Sequence, residues 1–499
     1  MEGKAAHNKQ NAETVSANSH SFRLITKGHR AIELAARPDA RLYTVMEFLG
    51  IAQRVSPEFW LDTFIPMLRR SASENVASRL TAAAKRARAS AHVYGVSTPG
   101  AAEVATEILF DRHLVKPREQ HRSRASVQQH FRSLRESKAP LRIGLPLFSR
   151  KPVSPIKNRG PYPDLAEIAS MLRCYQLAAM LSQVHDTKTE FLIFADGVKY
   201  RRACETDLLQ VRLYQDALRY WCDQLGISDL VQVIDYEDAV CSALGVDAAK
   251  RREAQYEQCR ANLSGNYEQH FDPYDPARSL ATISQLSPLG EQLSFTFRSI
   301  ASSVCYQTDG LGARLARCED QATRLYLTHL ANLLTDLRTH PHVVHSEAGS
   351  SADDVAISIE LRAEAWQAAI RYVAISLVDR ALDVWSIINP GGVKMTTHGK
   401  PGEIQIRPTR SKFMSMTAQH CVGGILRAQE GSKITFSYRL EHESCGDVPL
   451  LFDQPMARRT GESVPNPIRK MTEAQQPICY LRSGDGAPWE ILSDCIVDF

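Results

Sequence analysis

No C-x-x-C pair occurs among the eleven cysteines, which stand singly along the 499 residues. That excludes a zinc knuckle and a dense disulfide framework, and it points to reduced thiols and a cytoplasmic setting. No run of roughly eighteen apolar residues is present, so no membrane span is expected. The opening stretch, MEGKAAHNKQNAETVSANSHS, lacks an apolar core and does not read as a secretion signal; its composition predicts disorder over 1–22. There is no G-x-x-x-x-G-K-[ST] loop and no strand followed by G-x-G-x-x-G, which removes the usual ATP and dinucleotide signatures. H-E-x-x-H is also missing, and His345-Ser346-Glu347 has no P-C-x-x-C after it. The histidines at 340, 342 and 345 read as a solvated loop, and no metal site is expected.

Apolar residues make up 43% of the chain, enough for a substantial core in two or three domains. The net charge of +4 is modest but unevenly spread. Residues 112–159 hold thirteen Lys/Arg against Glu119 and Glu136 alone. Such a patch raises nucleic-acid binding as an alternative function. Its linker part has only Phe131 as an aromatic and no DNA-binding motif accompanies it, so nucleic acid is disfavoured as a partner. A solvated basic linker that steers an anionic substrate is the preferred reading.

Residues 23–110 are rich in helix formers, with apolar clusters at Leu42–Leu49 and Phe59–Leu68, and a basic helix follows over Asn75–Ala91. They predict a helical N-terminal domain that packs on the rest or makes a homo-oligomer. A basic linker over 111–138 separates it from an α/β domain over 139–440, and 441–499 form a C-terminal extension. Within 139–440, strand signals at 141–147, 190–195 and 230–234 alternate with helix signals at 164–184, 205–224 and 236–262. That alternation predicts a mostly parallel, Rossmann-like sheet with flanking helices. Residues 277–340 and 353–383 read as helical. Val384–Ile388, Val393–Thr397, Ile404–Ile406 and Ile434–Tyr438 carry strand signals expected to extend the sheet.

Two segments hold the chemistry. The strand at Leu141–Leu147 runs into Phe148-Ser149-Arg150-Lys151, then a loop with Lys157 and Arg159 that prolines 152, 155, 161 and 163 stiffen. Cations on a stiff loop before a helix start suit an anion. Lys151, as an exposed loop residue, is expected to carry little folding energy. Asp164 and Glu167 open the next helix, one as a cap and the other as a buried general base. The second segment is Phe191–Tyr200, a buried strand ending in Asp196-Gly197. An acidic residue at a strand's C-terminal end is placed to hold ligand groups, although Asp-Gly is also an ordinary turn.

A strand ending in Phe148-Ser149-x-Lys151 with Pro155 and Lys157, then Pro163-Asp164 and Glu167, then Asp196-Gly197, resembles the pyoverdine/dityrosine biosynthesis family. Asp207 and Tyr214 follow at the family's spacing, and Val393-Lys394-Met395-Thr396-Thr397-His398 resembles its late strand ending in histidine. The chain departs from the family at Ala195, in Val198-Lys199-Tyr200 and at His420, which lacks a neighbouring Trp. The resemblance spans roughly residues 138–430. It implies an isonitrile synthase that turns the α-amine of an amino acid into an isocyanide, with ribulose 5-phosphate as carbon donor and no metal or nucleotide cofactor. It also implies Glu167, Asp196 and His398 as catalytic groups. Ser149, Arg150, Lys151, Lys157, Asp164, Gly197, Tyr214 and Lys400 would bind the amino acid and the sugar phosphate. An N-formylating enzyme of the dityrosine branch is the nearest alternative.

Overall fold

The computed structural model describes residues 52–93, 98–111, 114–115, 124–151, 160–203, 206–304, 352–396, 404–406, 424–428, 433–438, 448–453, 465–482 and 496–498, besides strands at 22–25, 31–34 and 343–345. Lys157, His398, Lys400 and, apart from Phe22, the expected disorder over 1–22 lie outside the described residues.

The centre is a five-stranded sheet in the order β6-β5-β4-β8-β9, with every pairing parallel. Its strands are β4 (Leu141–Leu147), β5 (Thr189–Ala195), β6 (Val231–Asp235), β8 (Val393–Thr396) and β9 (Ile404–Gln405). This is the expected α/β class. Strands β4 and β5 read as apolar runs because helices cover both faces; Phe191, Leu192, Ile193, Phe194 and Ala195 are all buried. Pro146 is tolerated in a central strand because β8 pairs with β4 only at Ile143 and Gly144, before the proline's missing N–H would be needed.

Packing runs across the expected boundaries between an N-terminal domain, a linker and a core. Helix α1 (Ile65–Val93), which continues a helical entry from Pro57, lies across α4 (Leu165–Ser182) beside the sheet. Trp60 sits 4.3 Å from Phe64, 6.3 Å from Trp221 and 6.0 Å from Phe452, ring centre to ring centre. Residues from the start, middle and end of the chain therefore share one core. The linker holds helix α3 (Arg124–Glu136), which buries Val127, Phe131 and Leu134. Its arginines are paired: Arg124 with Glu107 and Arg132 with Glu103, both on α2 (Ala101–Leu109), and Arg135 with Asp186.

The C-terminal extension belongs to a second, mixed sheet in the order β14-β11-β10-β13-β12-β3. Here β10 (Gly424–Ala428), β11 (Lys433–Tyr438), β12 (Val448–Phe452), β13 (Cys479–Arg482) and β14 (Ile496–Asp498) join β3 (Gln53–Val55). The strand expected at Ile434–Tyr438 forms, but in this sheet rather than the central one. A three-stranded antiparallel sheet, β2-β1-β7, pairs Phe22–Ile25 with Ala31–Leu34 and Val343–His345.

Two further expectations change. Val384–Ile388 is a helix, α12, not a strand. Five apolar residues do not fix a period, and here Trp385 turns onto the sheet, 5.2 Å from Phe194 between ring centres. The helix expected over 236–262 breaks at Gly245, whose φ of 78° is open to glycine, into α7 (Tyr236–Leu244) and α8 (Val246–Tyr267). With α9 (Pro276–Leu286), α10 (Pro288–Val304) and α11 (Ala352–Ala381), α8 forms a helical layer with its own core around Trp366, Phe297 and Leu293. That layer stands over the carboxyl ends of β5 and β6. Among the described residues no helix is long and apolar enough to cross a membrane.

Candidate active site

At the end of β4 the chain turns on Phe148, which adopts φ of 66°. A left-handed conformation costs a bulky residue about 1–3 kcal/mol and persists only where the surroundings impose it. Burial of the Phe148 ring supplies that anchor. The turn presents Ser149, whose hydroxyl donates to the Asp196 carboxylate at 2.5 Å. Asp196 stands at the N-cap position of α5 (Gly197–Tyr200), the single turn after β5, but its side chain makes no capping bond there. A Cβ on Gly197 would stand 1.9 Å from the Ser149 carbonyl oxygen, so the two strand ends approach closely enough to demand glycine here. The two sequence segments thus meet side by side at the carboxyl edge of the sheet.

Lys151 departs from expectation. It is fully buried, with its ammonium 2.7 Å from Glu167 and 2.9 Å from Asp164. Asp164 caps α4 by accepting from Ala166 N–H at 2.7 Å, and Glu167 accepts in return from Asp164 N–H at 3.0 Å, a complete capping box. Tyr214, on α6 (Leu208–Gln224), donates to the other Glu167 oxygen at 3.1 Å. Burial pushes the Asp164 carboxyl up to about 8; Lys151 opposes that rise and Glu167 adds to it. Burial alone would lower Lys151, but its two carboxylates more than offset this and hold it above the usual lysine range. Lys151 is therefore a buried ion-pair partner, not an exposed loop cation. Glu167 has both oxygens engaged and no exposed surface, which suits it to rooting the loop rather than to meeting substrate.

Sequence reasoning passed over a second cluster. Lys199 lies one turn beyond Asp196, its side chain only 8% exposed, with its ammonium 2.6 Å from Asp379 on α11. Arg252 of α8 donates to Asp379 at 2.7 Å and also to Glu237 on α7, and Tyr236 donates to Asp379 at 2.8 Å. The Lys199 ammonium stands 4.1 Å from the centre of the Tyr236 ring. Burial would raise the Asp379 carboxyl, yet the Lys199 and Arg252 charges hold it below the usual carboxylate range. Lys199 moves upward for the same reason, its burial outweighed by Tyr236, Asp379 and Asp196. Tyr200 stacks on Tyr372 with ring centres 3.9 Å apart, and the Asp196 charge adds to burial in raising both phenols. The one available signal was the position of Lys199 three residues after Asp196; nothing in the sequence ties either residue to position 379.

Arg150 is buried at the same strand end. Strand β8 runs parallel to β4, so its last residue, Thr396, reaches the same edge as Ser149. The loop's exit is pinned by the C-terminal region: Gln476 accepts from Tyr162 N–H at 2.9 Å and donates to Tyr162 O at 2.6 Å. Leu165 N–H donates to Ile478 O at 2.9 Å. Among the described residues no group of histidine, cysteine and acidic side chains is arranged to hold a metal ion.

No curated protein matches the chain. A solved structure, the PvcA protein from Pseudomonas aeruginosa, is similar at 17% identity and a TM-score of 0.42, over 69% of this chain and 93% of that one. Residues 131–279 match the family model described as pyoverdine/dityrosine biosynthesis protein. That stretch supplies Ser149, Lys151, Asp164, Glu167, Asp196, Gly197 and Tyr214, so it is the segment building this site that is similar to the pyoverdine/dityrosine biosynthesis family.

Proposed function

We propose that the chain is a biosynthetic enzyme, an isonitrile synthase that converts the α-amine of an amino acid to an isocyanide with ribulose 5-phosphate as carbon donor. The observation that carries the reading is the Ser149–Asp196 contact at the carboxyl edge of a parallel sheet, where such sheets collect their ligands. The chemistry needs a neutral amine to attack the ketone of the sugar, then a base and an acid for carbon–carbon cleavage. Asp196, 8% exposed and hydrogen-bonded by Ser149, is the carboxylate placed to take a proton from the substrate ammonium. Because Lys151 is committed to Asp164 and Glu167, the phosphate contact falls to Arg150 and to Lys157 and Lys400, with His398 as a further acid or base. No metal or nucleotide enters this scheme, and the partners are small molecules.

The test is direct. Purified protein with ribulose 5-phosphate and the proteinogenic amino acids is expected to form an isocyanide, followed by mass spectrometry, and to keep its activity in EDTA. A product heavier by one water would assign the N-formylating alternative. A requirement for iron or ATP would refute the scheme.

A further inference from the structure

The α5 turn has one end on the sheet and the other in the helical layer. At its front, Gly197 lies against the Ser149 carbonyl oxygen and the Val211 side chain. At its back, Tyr200 and the following Ala203 are packed into the core around Trp366 and Phe297, not into the core of the sheet. One face of α11 grips that back end, since positions 372, 376 and 379 recur at helical spacing. Tyr372 stacks on Tyr200 with ring centres 3.9 Å apart, and Ser376 shares a hydrogen bond with the Tyr200 hydroxyl at 3.1 Å. Asp379 holds the Lys199 ammonium at 2.6 Å, and Arg371 donates to Ala203 O at 3.3 Å. The first hydrogen bond of the turn, from Tyr200 N–H to Asp196 O at 3.1 Å, carries that grip back to Asp196. A cavity of about 190 Å³ borders the turn at Val198, Lys199, Arg201 and Arg202, so packing on that side leaves the turn room to shift.

We propose that Asp379 is a positioning residue for Asp196: through Lys199 it holds the α5 turn and so keeps the Ser149–Asp196 contact in place. The proposal rests on Asp196 being the base of the reaction proposed above. Asp379 suits this task because it gathers donors from three elements: Lys199 on α5, Tyr236 at 2.8 Å on α7 and Arg252 at 2.7 Å on α8. Lys199 and Tyr236 each follow closely on a central strand, β5 and β6, so one carboxylate ties the carboxyl ends of both to α11. Glu237 holds Arg252 as well, which leaves the carboxylate fixed before any substrate arrives and spares the site an ordering cost on binding. The leverage is large, because displacing a reacting group by about 1 Å can cost on the order of 10²-fold in rate. A network that only stabilised the fold would lower the melting temperature and leave the turnover of folded protein unchanged.

Asp379→Asn strands the buried Lys199 charge and risks unfolding the chain, so the test breaks the tie from the other side, in the full-length protein. Lys199→Met keeps an apolar stem and leaves Asp379 satisfied by Arg252 and Tyr236. With ribulose 5-phosphate and the accepted amino acid, kcat should fall about 10- to 100-fold while KM stays within about twofold. Tyr372→Leu, which removes the stack and no charge, should lower kcat in the same direction. In an Asp196→Asn background Lys199→Met should cost nothing further, because residues that act through one group are not additive. Wild-type kcat in Lys199→Met, or the same fold loss with and without the Asp196 carboxylate, would overturn the proposal. Amide hydrogen exchange gives a readout that needs no substrate: Gly197–Ala203 should exchange about tenfold faster in both variants while Leu141–Leu147 keeps its wild-type rate. Unchanged exchange over Gly197–Ala203 would show that α11 does not hold the turn, whatever the reaction. If the wild-type protein forms no isocyanide while the exchange result comes out as expected, the functional reading fails and the hold on the turn stands.

Discussion

Lys151 Nζ lies 2.7 Å from Glu167 Oε2, with neither side chain reaching solvent. Breaking a buried pair by deleting one partner strands the other charge, at a cost of roughly 3–5 kcal/mol. Two carboxylates face this one ammonium, so Lys151→Ala should lower stability by about that amount, measured by urea unfolding. Lys151→Ala with Glu167→Gln should recover part of the loss, because the second change removes one stranded charge. A solvated loop lysine would show neither effect.

The Asp164 carboxyl gives a pH signature. Its folded value, near 8, is above the unfolded one, because burial favours the protonated form. A raised acid contributes stability that is full below the unfolded value, near 4, and is lost as pH climbs through the folded value. Stability should therefore fall between about pH 4 and 8 relative to Asp164→Asn, which keeps a capping side chain but cannot ionise. Paired melting curves across that interval check it; a difference that does not change with pH would show that Asp164 stays ionised.

Asp196→Asn should reduce turnover about 10²- to 10⁴-fold, the range for removing a positioned general base. Ser149→Ala should fall less, since it removes one hydrogen bond to that carboxylate and leaves the charge. Neither should change the melting temperature by more than a few degrees. Steady-state kinetics on both variants decide the point. Wild-type turnover in Asp196→Asn would move the proton transfer elsewhere.

Gly197→Ala places a methyl group 1.9 Å from the Ser149 carbonyl oxygen, a backbone atom that cannot swing aside. The strand ends must separate, at a cost of about 1–3 kcal/mol. Activity should drop further than stability does, because the displacement falls on the Ser149–Asp196 contact. Comparing unfolding free energy with turnover separates the two losses.

The central sheet and its site were partly legible in the sequence for specific reasons. Leu141, Ile143, Leu145 and Leu147 give one face of their strand an apolar run, Phe191–Ala195 is apolar on both faces as strands buried by helices are, and Asp164-x-x-Glu167 before an apolar helix is a capping pattern. Their meeting at one edge followed from parallel topology. The burial of Lys151 was not legible, because proline-rich flanks and neighbouring cations look the same whether a lysine faces water or two carboxylates. The Lys199–Asp379 pair was equally hidden, since 180 positions separate the partners. Val384–Ile388 misled because a short β-branched run carries no period. The N-terminal helices read correctly as helices, but nothing local said that Trp60 would meet Trp221 and Phe452.

The pairing of β3 with β12 sets Gln53 beside Leu450. A ribosome releases β3 early and β12 near the end, at about 5–20 residues per second. For tens of seconds the nascent chain therefore displays a strand edge whose partner has not been made. Long-range parallel pairing of this kind is slow and prone to aggregation. Maturation of this protein should accordingly depend on what shields Gln53–Val55 during synthesis, and chains cut short before Val448 should accumulate as aggregates even though the whole central sheet has already been translated.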